Sequence, residues 1–183
     1  MTSPVFEKGY PDYDAVNRQE PYEEYIRLKD REITSKMKKW DNRFMEMAKL
    51  IASWSKDPTS QIGAVAVNDE HRILATGYNG FPKGIDDTQE RLNDRPEKYR
   101  LVIHAEMNAL MNALYSGVSL NGATMYVHGL PVCSDCAKCV IQAGIKRVVI
   151  PTFKSEKGDW QKIWEERSAP MFKEANVQVT ILG

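Results

Sequence analysis

The feature that most constrains this chain is a pair of short motifs, each at the predicted start of a helix. One is His104-Ala105-Glu106, and the other is Cys133-Ser134-Asp135-Cys136, which Pro131-Val132 precedes. Histidine nitrogen and cysteine thiolate are the ligands that Zn²⁺ prefers in proteins. A fold that uses both motifs must bring two helix starts to one point.

The ligand number indicates a catalytic metal. One histidine and two cysteines supply three ligands and leave a fourth position for water. The partial positive charge of a helix N-terminus favours the thiolate form of Cys133 and Cys136. The Glu106 carboxylate, two residues after His104, can move protons during a hydrolytic reaction. We therefore predict His104, Cys133 and Cys136 as zinc ligands and Glu106 as the catalytic group.

Neither motif is specific by itself. His-x-Glu occurs by chance, and Cys-x-x-Cys also suits a redox site or half of a structural zinc site. Cys139 or His128 could complete a structural site, in which Glu106 would have no role. Cys139 lies one turn further into the helix, which favours a small core residue. For His128, at the end of a strand, structural and functional roles are equally open. The joint occurrence of both motifs favours catalysis.

The bulk composition narrows the class of protein. Lys+Arg and Asp+Glu are equal at 25 each among 183 residues, which argues against a protein that coats nucleic acid. Because the first residues contain no apolar run, we expect no signal peptide, and no run in the sequence is long enough to span a membrane. We therefore expect a cytoplasmic protein with a small-molecule substrate, no membrane contact and no nucleic-acid partner.

The chain has two regions. Residues 1–39 contain 16 charged residues and are predicted to form an arm or an appended helix beginning at Pro21. Residues 40–183 carry regular patterns and both zinc motifs, and they are predicted to form the main domain. The long Gly77–Val102 segment is predicted to be a functional loop, because loops of this length in compact domains usually have a function.

Helices and strands alternate in the main domain. The predicted strands are Ile62–Val67, Arg72–Thr76, Ala123–His128, Lys146–Ile150 and Val177–Leu182. Helices are predicted from Trp40, over His104–Ser116, over Cys133–Ala143, and over Asp159–Asn176 with a break near Pro170. This order predicts an α/β fold, a three-layer α/β/α sandwich with a five-stranded mixed sheet.

Over residues 40–182 the chain resembles the zinc-dependent cytidine and deoxycytidylate deaminase superfamily, and within it the deoxycytidylate deaminases. The resemblance is carried by the two zinc motifs and by Ser55–Ala64, Gly77–Gly84, Cys136–Lys138 and Ile141–Ile145. It implies a cytidine deaminase-like fold, one bound Zn²⁺, and hydrolysis of dCMP to dUMP and ammonia as a source of dTMP precursor. A deaminase of polynucleotides uses the same zinc core and remains the alternative.

The resemblance also implies binding sites. For the substrate it implies Asn79, the backbone at Ala105, and Lys56. For regulation it implies a loop that binds dCTP as activator and dTTP as inhibitor, with Mg²⁺ accompanying the triphosphate, at Tyr78, Gly80, Phe81, Lys83 and Gly84. Exposed backbone at Gly77, Gly80 and Gly84 supports this interpretation, although glycine in turns explains the same pattern. A homo-oligomer, specifically a hexamer, is expected.

Two positions depart from the family pattern. Val132 separates Pro131 from Cys133, where the proline usually comes directly before the first cysteine. Ile103 precedes His104, where some relatives have cysteine, so this position offers no additional ligand.

Overall fold

The computed structural model describes residues 19–153 and 160–183, with side chains described from residue 27 onward. Residues 1–18 of the predicted arm lie outside the described residues. Helix α1 spans Gln19–Ala52. The chain divides into a unit that ends at Lys38 and a unit that spans Lys39–Gly183, and the second unit contains every other helix and strand described below.

The second unit is built on a five-stranded mixed sheet, as predicted. Its strands are β1 (Gly63–Val67), β2 (Ile73–Tyr78), β3 (Thr124–His128), β4 (Arg147–Pro151) and β5 (Gln178–Leu182). The order across the sheet is β2-β1-β3-β4-β5. Strand β1 pairs antiparallel with both β2 and β3, whereas β3, β4 and β5 run parallel.

Alternation of side chains along the strands produces a core on each face of the sheet. In β1, Ala64 and Ala66 face one core and Val65 and Val67 face the other, as the two-residue period of a strand requires. The larger core includes helix α4 (Ala105–Tyr115), α5 (Ser134–Gln142) and α7 (Ala169–Glu174). The smaller core is formed with Phe44, Ala48 and Ile51 of α1. The three-layer α/β/α prediction is confirmed.

The segment predicted as one long loop contains two helices, which the prediction missed. They are α2 (Gln89–Asn93) and α3 (Arg95–Leu101). Asp94 caps α3 by accepting a hydrogen bond from the backbone N–H of Glu97, and Pro96 occupies the first turn. An N-cap Asp, a proline in the first turn and a Glu three residues after the cap are a sequence signal for a helix start.

The C-terminal helical region differs from the prediction in its geometry. Helix α6 (Trp160–Ile163) continues into a π-helical turn, Trp164–Ser168, and then into α7. The irregular turn therefore comes before Pro170, since proline has no N–H to donate to the preceding turn. The predicted helix start at Asp159 lies outside the described residues. No helix in the described ranges is both long enough and apolar enough to cross a membrane.

Candidate metal centre and substrate pocket

Two helix starts meet at the candidate metal centre. His104 is the N-cap of α4 and Cys133 is the N-cap of α5, and both have extended backbone. Directly before His104, Ile103 exchanges two backbone hydrogen bonds with Gly80, at 3.1 and 2.8 Å. This bridge fixes the chain at the point where it enters α4.

The three predicted ligand atoms lie together. His104 Nδ1 is 3.4 Å from Cys133 Sγ and 3.5 Å from Cys136 Sγ, and all three atoms lie within 4.8 Å of one another. Tetrahedral Zn–N and Zn–S bonds place nitrogen and sulfur ligands about 3.5 Å apart. The donor set and its spacing therefore fit a zinc ion. Cys139 packs against the larger core, and neither it nor His128 belongs to the cluster.

The two cysteines of the cluster share one proton. The pKa of Cys133 is lowered, first because the Cys136 thiol donates a hydrogen bond to it and also because His104 lies beside it. The pKa of Cys136 is raised by the same shared proton and by burial. A bound divalent cation favours the thiolate form of both cysteines, and its binding releases the shared proton.

Glu106 lies in the first turn of α4 with only 3% of its surface exposed. Burial raises the pKa of this carboxyl to about 7, against the opposing effect of His104. A cation beside it would lower that pKa again. The carboxyl thus sits next to the ligand cluster, where it can exchange protons with a reacting group.

A cavity of about 600 Å³ opens over the cluster. This volume is typical of small-molecule sites. The described residues that line it come from the metal centre, from the segment before β1, from α3 and its C-terminal end, from α6 and from two loops. They are Asp57, Thr59, Ser60, Ile62, Asn79, Arg95, Lys98, Tyr99, Val102, His104, Glu106, Leu130, Pro131, Cys133, Trp160 and Ile163.

Asn79, predicted to contact the substrate, is buried in the cavity wall. Its Oδ1 accepts a hydrogen bond of 2.8 Å from the backbone N–H of Ile62, and its Nδ2 donates one of 2.9 Å to Ser60 O. One amide N–H and one lone pair remain for a ligand. Ala105 has a fully buried side chain and is the first residue of α4, where backbone N–H groups lack intrahelical acceptors.

Lys56 is not one of the described residues that line the cavity, although it directly precedes Asp57, which is. Its Nζ is 2.9 Å from Asp87 Oδ1, and both side chains are exposed. The predicted role of Lys56 at the substrate stays a prediction.

The predicted effector residues also lie outside the described cavity lining. Tyr78 contacts the Trp54 ring edge-on, and Phe81 lies 5.6 Å from the Arg91 guanidinium carbon. Lys83 and Gly84 are exposed. Among these residues Gly80 is bridged to Ile103, which directly precedes the candidate zinc ligand His104.

Gly77 is required by packing, and its interpretation as ligand-exposed backbone is wrong. A Cβ at this position would collide with the backbone of Ala105 and Ala109. Glycine here allows β2 to lie against α4, which carries the metal centre.

The structure adds an ion pair that the sequence did not show. In the cavity wall Lys98 Nζ lies 3.1 Å from Asp57 Oδ1 and 2.8 Å from Thr59 Oγ1. Burial alone would raise the pKa of Asp57, but hydrogen bonds from Thr59, Lys98 and Ser60 outweigh it and lower the pKa. The capping signal at the start of α3 is the local feature that places Arg95, Lys98 and Tyr99 on one helix.

Comparisons with known proteins agree with the geometry. The model of the cytidine and deoxycytidylate deaminase zinc-binding region matches residues 38–152. An uncharacterized deaminase in the luxG 3' region of Aliivibrio fischeri is 40% identical over 147 residues, which are 79% of this chain and 94% of that protein. Human deoxycytidylate deaminase is 43% identical over 125 residues, 66% of this chain and 68% of the human protein.

A solved structure supports the same assignment. The dCMP deaminase of cyanophage S-TIM5 superimposes with a TM-score of 0.60 and 26% identity, covering 78% of this chain and 96% of the phage protein. A second structure of that phage enzyme contains dCMP and dUMP and gives the same TM-score. With the family model matched over more than half of its length, the chain belongs to the family of zinc-dependent cytidine and deoxycytidylate deaminases.

Proposed function

We propose that this chain hydrolyses dCMP to dUMP and ammonia. The observation that carries the proposal is the placement of a three-ligand zinc set and a buried carboxyl, Glu106, in a cavity of small-molecule size. Support for the substrate comes from similar proteins, including the human deoxycytidylate deaminase and the phage enzyme that was crystallised with dCMP and dUMP.

In this proposal His104, Cys133 and Cys136 hold the zinc ion. When bound, Zn²⁺ supplies Lewis acidity, which brings the pKa of water near neutrality. Glu106 accepts a proton from the attacking water and passes it to N3 of the cytosine. It then accepts the proton of the new C4 hydroxyl and delivers it to the departing amine, which leaves a carbonyl at C4. A C–O bond forms at C4, the C4–N4 bond breaks, and ammonia leaves, so that the carboxylate ends in its starting state.

Other groups of the cavity orient the base and exclude water. The free N–H of Asn79 and the backbone at Ala105 contact the nucleoside. Asn79 is tied to Ser60 and Ile62, so its remaining hydrogen-bonding capacity is held in one orientation. A donor or acceptor whose direction is already fixed costs less entropy when the substrate binds.

The test is a substrate panel with metal analysis. We expect one zinc per chain and turnover of dCMP, measured by absorbance and ammonia release, in preference to CMP, deoxycytidine and dCTP. Single-stranded DNA and tRNA are included in the panel as polynucleotide substrates. Zinc-loaded wild-type protein that deaminates only the polynucleotides, or none of these compounds, would overturn the proposal.

Two variants separate metal binding from proton transfer. The Cys133→Ala/Cys136→Ala double variant should lose zinc, because two of three ligands are gone. Glu106→Gln should keep zinc and fold but lose about 10²–10⁴-fold in kcat, since an amide cannot exchange the proton. Near-normal turnover in Glu106→Gln would exclude the carboxyl from the mechanism.

Regulation forms a second part of the proposal. We propose that dCTP activates and dTTP inhibits through Tyr78, Gly80, Phe81, Lys83 and Gly84, with Mg²⁺ accompanying the triphosphate. The supporting feature is connectivity: this surface loop contains Asn79 of the cavity wall, and Gly80 is bridged to the residue before His104. Ligands act oppositely only when they favour different states of the protein.

Turnover against dCMP concentration, with each triphosphate and Mg²⁺, tests the regulation. Superimposable curves would refute it and leave the deaminase intact, and an unchanged response in Lys83→Ala would move the effector site elsewhere. We further propose that the protein is a homo-oligomer, a hexamer, which sedimentation can test, and that its dUMP supplies dTMP synthesis.

A further inference from the structure

Helix α4, which carries the metal centre, crosses strand β2 at a point of very close packing. Strand β2 is at the edge of the described sheet, so one row of its backbone groups faces away from the neighbouring strand. Gly77 lies at the crossing, where a Cβ would collide with the backbone of Ala105 and Ala109. The helix therefore lies directly on the strand, and side chains of α4 can reach the carbonyl groups on either side of Gly77.

Two asparagines, one helical turn apart on α4, use this closeness in the same way. Asn108 Nδ2 donates a hydrogen bond of 2.8 Å to Tyr78 O, and Asn112 Nδ2 donates one of 2.8 Å to Thr76 O. Four residues of helix rise about 6 Å and two residues of strand about 6.6 Å, so the donors and acceptors match in spacing. The two bonds together oppose any sliding of β2 along α4.

The two bonds differ in what they hold. Tyr78 is joined by a peptide unit to Asn79, which lines the cavity. The oxygen of that peptide unit accepts from Asn108, and its N–H donates to Ile62 O at 3.2 Å. A trans peptide unit is planar, with its oxygen and its N–H on opposite sides. Bonds on both sides therefore fix the backbone from which the Asn79 side chain projects.

Asn108 belongs to the same helical turn as the reacting groups. It follows Glu106 by two residues, and its backbone N–H donates a hydrogen bond of 2.8 Å to His104 O. Asn108 itself lies outside the described cavity lining, so its effect on a bound nucleoside would be indirect. Its side chain connects the end of β2, next to Asn79, to the first turn of the helix that carries the metal centre.

We propose that Asn108 is a positioning residue for the deamination: through the Tyr78 carbonyl it holds the Asn79 amide in register with the metal centre. This inference rests on the proposed function, in which Asn79 orients the nucleoside. A misplacement of about 1 Å can cost about 100-fold in rate. The bond of Asn112, one turn further from the metal centre, fastens the strand without setting the position of a substrate contact.

The experiment compares Asn108→Ala with Asn112→Ala in zinc-loaded protein, with dCMP as substrate. In Asn108→Ala, kcat should fall about 10- to 100-fold while KM changes less than about threefold, because the substrate still binds but is oriented less well. Asn112→Ala is the matched control, since it removes the same type of bond to the same strand. Its kcat should stay within about twofold of wild type. Zinc content and the midpoint of thermal unfolding are measured for both variants.

Two further variants at the same position separate the hydrogen bond from the filling of space. Asn108→Gln keeps the amide on a longer side chain and should recover part of the lost kcat, whereas Asn108→Leu occupies the space without a donor and should not. This pair also provides the test if the alanine variant does not fold. A glutamine variant no faster than the leucine variant at equal zinc content would contradict the inference.

The alanine variants can overturn the inference in two other ways. Equal losses of kcat in Asn108→Ala and Asn112→Ala would mean that both bonds only fasten the strand. A kcat within about twofold of wild type in Asn108→Ala would mean that the position of Asn79 does not depend on this bond. In either case wild-type turnover of dCMP still supports the deaminase. A wild type that does not deaminate dCMP would instead refute the proposed function.

Discussion

Two buried Asp–cation pairs in this molecule have the same chemistry and different surroundings. Asp41–Arg147 lies in the half that contains α1 and the smaller core, whereas Asp57–Lys98 lies in the cavity wall. Both are shielded from water: the Asp41 and Arg147 side chains are 6% and 14% exposed, and those of Asp57 and Lys98 are 7% each.

The Asp41–Arg147 pair is a cross-link between elements of the fold. Arg147 of β4 donates to both carboxylate oxygens of Asp41, at 2.8 and 2.6 Å, and the Tyr126 hydroxyl of β3 donates to one of them at 2.8 Å. Thr180 of β5 accepts further hydrogen bonds from Arg147. Burial and the Asp41 carboxylate raise the pKa of Tyr126, which keeps its hydroxyl protonated as a donor.

The Asp57–Lys98 pair joins a loop to a seven-residue helix and faces the cavity. Asp57 Oδ1 also accepts from the backbone N–H groups of Thr59 and Ser60, so its charge is partly satisfied without Lys98. The comparison teaches that two buried ion pairs of the same chemistry can connect different parts of a fold: Asp41–Arg147 joins α1 to the sheet, whereas Asp57–Lys98 joins a loop to a short helix. In the cavity wall the same chemistry holds one loop in place and neutralises a carboxylate.

The largest stability effect should come from breaking the cross-link. Asp41→Ala leaves the Arg147 charge and the Tyr126 hydroxyl buried without their acceptor, so the free energy of unfolding should fall by about 3–5 kcal/mol. Urea unfolding measures the change. The Asp41→Leu/Arg147→Met double variant is the control and should recover most of it, because no unpaired charge remains. A loss below about 1 kcal/mol in Asp41→Ala would contradict the structural role that we assign to the pair.

A smaller loss of stability is expected when the ion pair in the cavity wall is broken. Lys98→Met should lower the free energy of unfolding by about 1–3 kcal/mol, because Asp57 keeps its hydrogen bonds from Thr59 and Ser60. Urea unfolding of this variant beside Asp41→Ala gives the comparison directly. Equal losses in the two variants would mean that both pairs stabilise the fold to the same degree.

The pH dependence of stability should show the contribution of Asp57. Its pKa is lower in the folded protein than in the unfolded chain, so the unfolded state binds more protons and stability rises with pH in this range. The stabilisation is present above the unfolded pKa of about 3.9 and is lost as the pH falls through the folded pKa. Wild type should therefore be more stable than Asp57→Asn at about pH 7, and the difference should shrink steadily below about pH 4. A difference independent of pH would exclude this carboxylate as the cause.

The smallest effect is expected at the exposed pair of Lys56 and Asp87. Lys56→Ala should leave the midpoint of thermal unfolding close to that of wild type, because both groups are solvated. Thermal unfolding measures it, with Lys36→Ala in the exposed Lys36–Glu32 pair as a control. A fall in kcat/KM for dCMP at unchanged stability would show that Lys56 acts on the substrate, as the family resemblance implies.

The metal centre was the part of the protein that could best be predicted from the sequence. His104 and Cys133 each come where a helix begins, and a helix start is a local property of polarity, capping and periodicity. The chemical types of the ligands then restrict the metal. The sheet was predictable for a similar reason, since the strands have apolar runs bounded by turn residues.

The cavity wall was harder to predict from the sequence, because its residues are far apart along the chain. In the sequence Lys98 and Asp57 resemble ordinary solvated charged residues. No local pattern indicates that they pair across 41 positions. Gly77 suited either a ligand contact or a close packing contact, and only the position of α4 could separate the two. The start of α3 was locally encoded at Asp94, but the surrounding Gly, Pro and charge favoured a loop.

By itself the sequence determined the chemistry of this protein: the ligand types, the carboxylate beside them and the alternating elements that form the sheet. These depend on residue identity and short-range order. Only the tertiary structure decided which charged residues line the cavity and which form a cross-link between elements of the fold. It also left Arg95 without a carboxylate partner among the described residues. Ion pairing of this kind depends on distances between elements far apart in the chain, and those distances are set by how the helices pack on the two faces of the sheet.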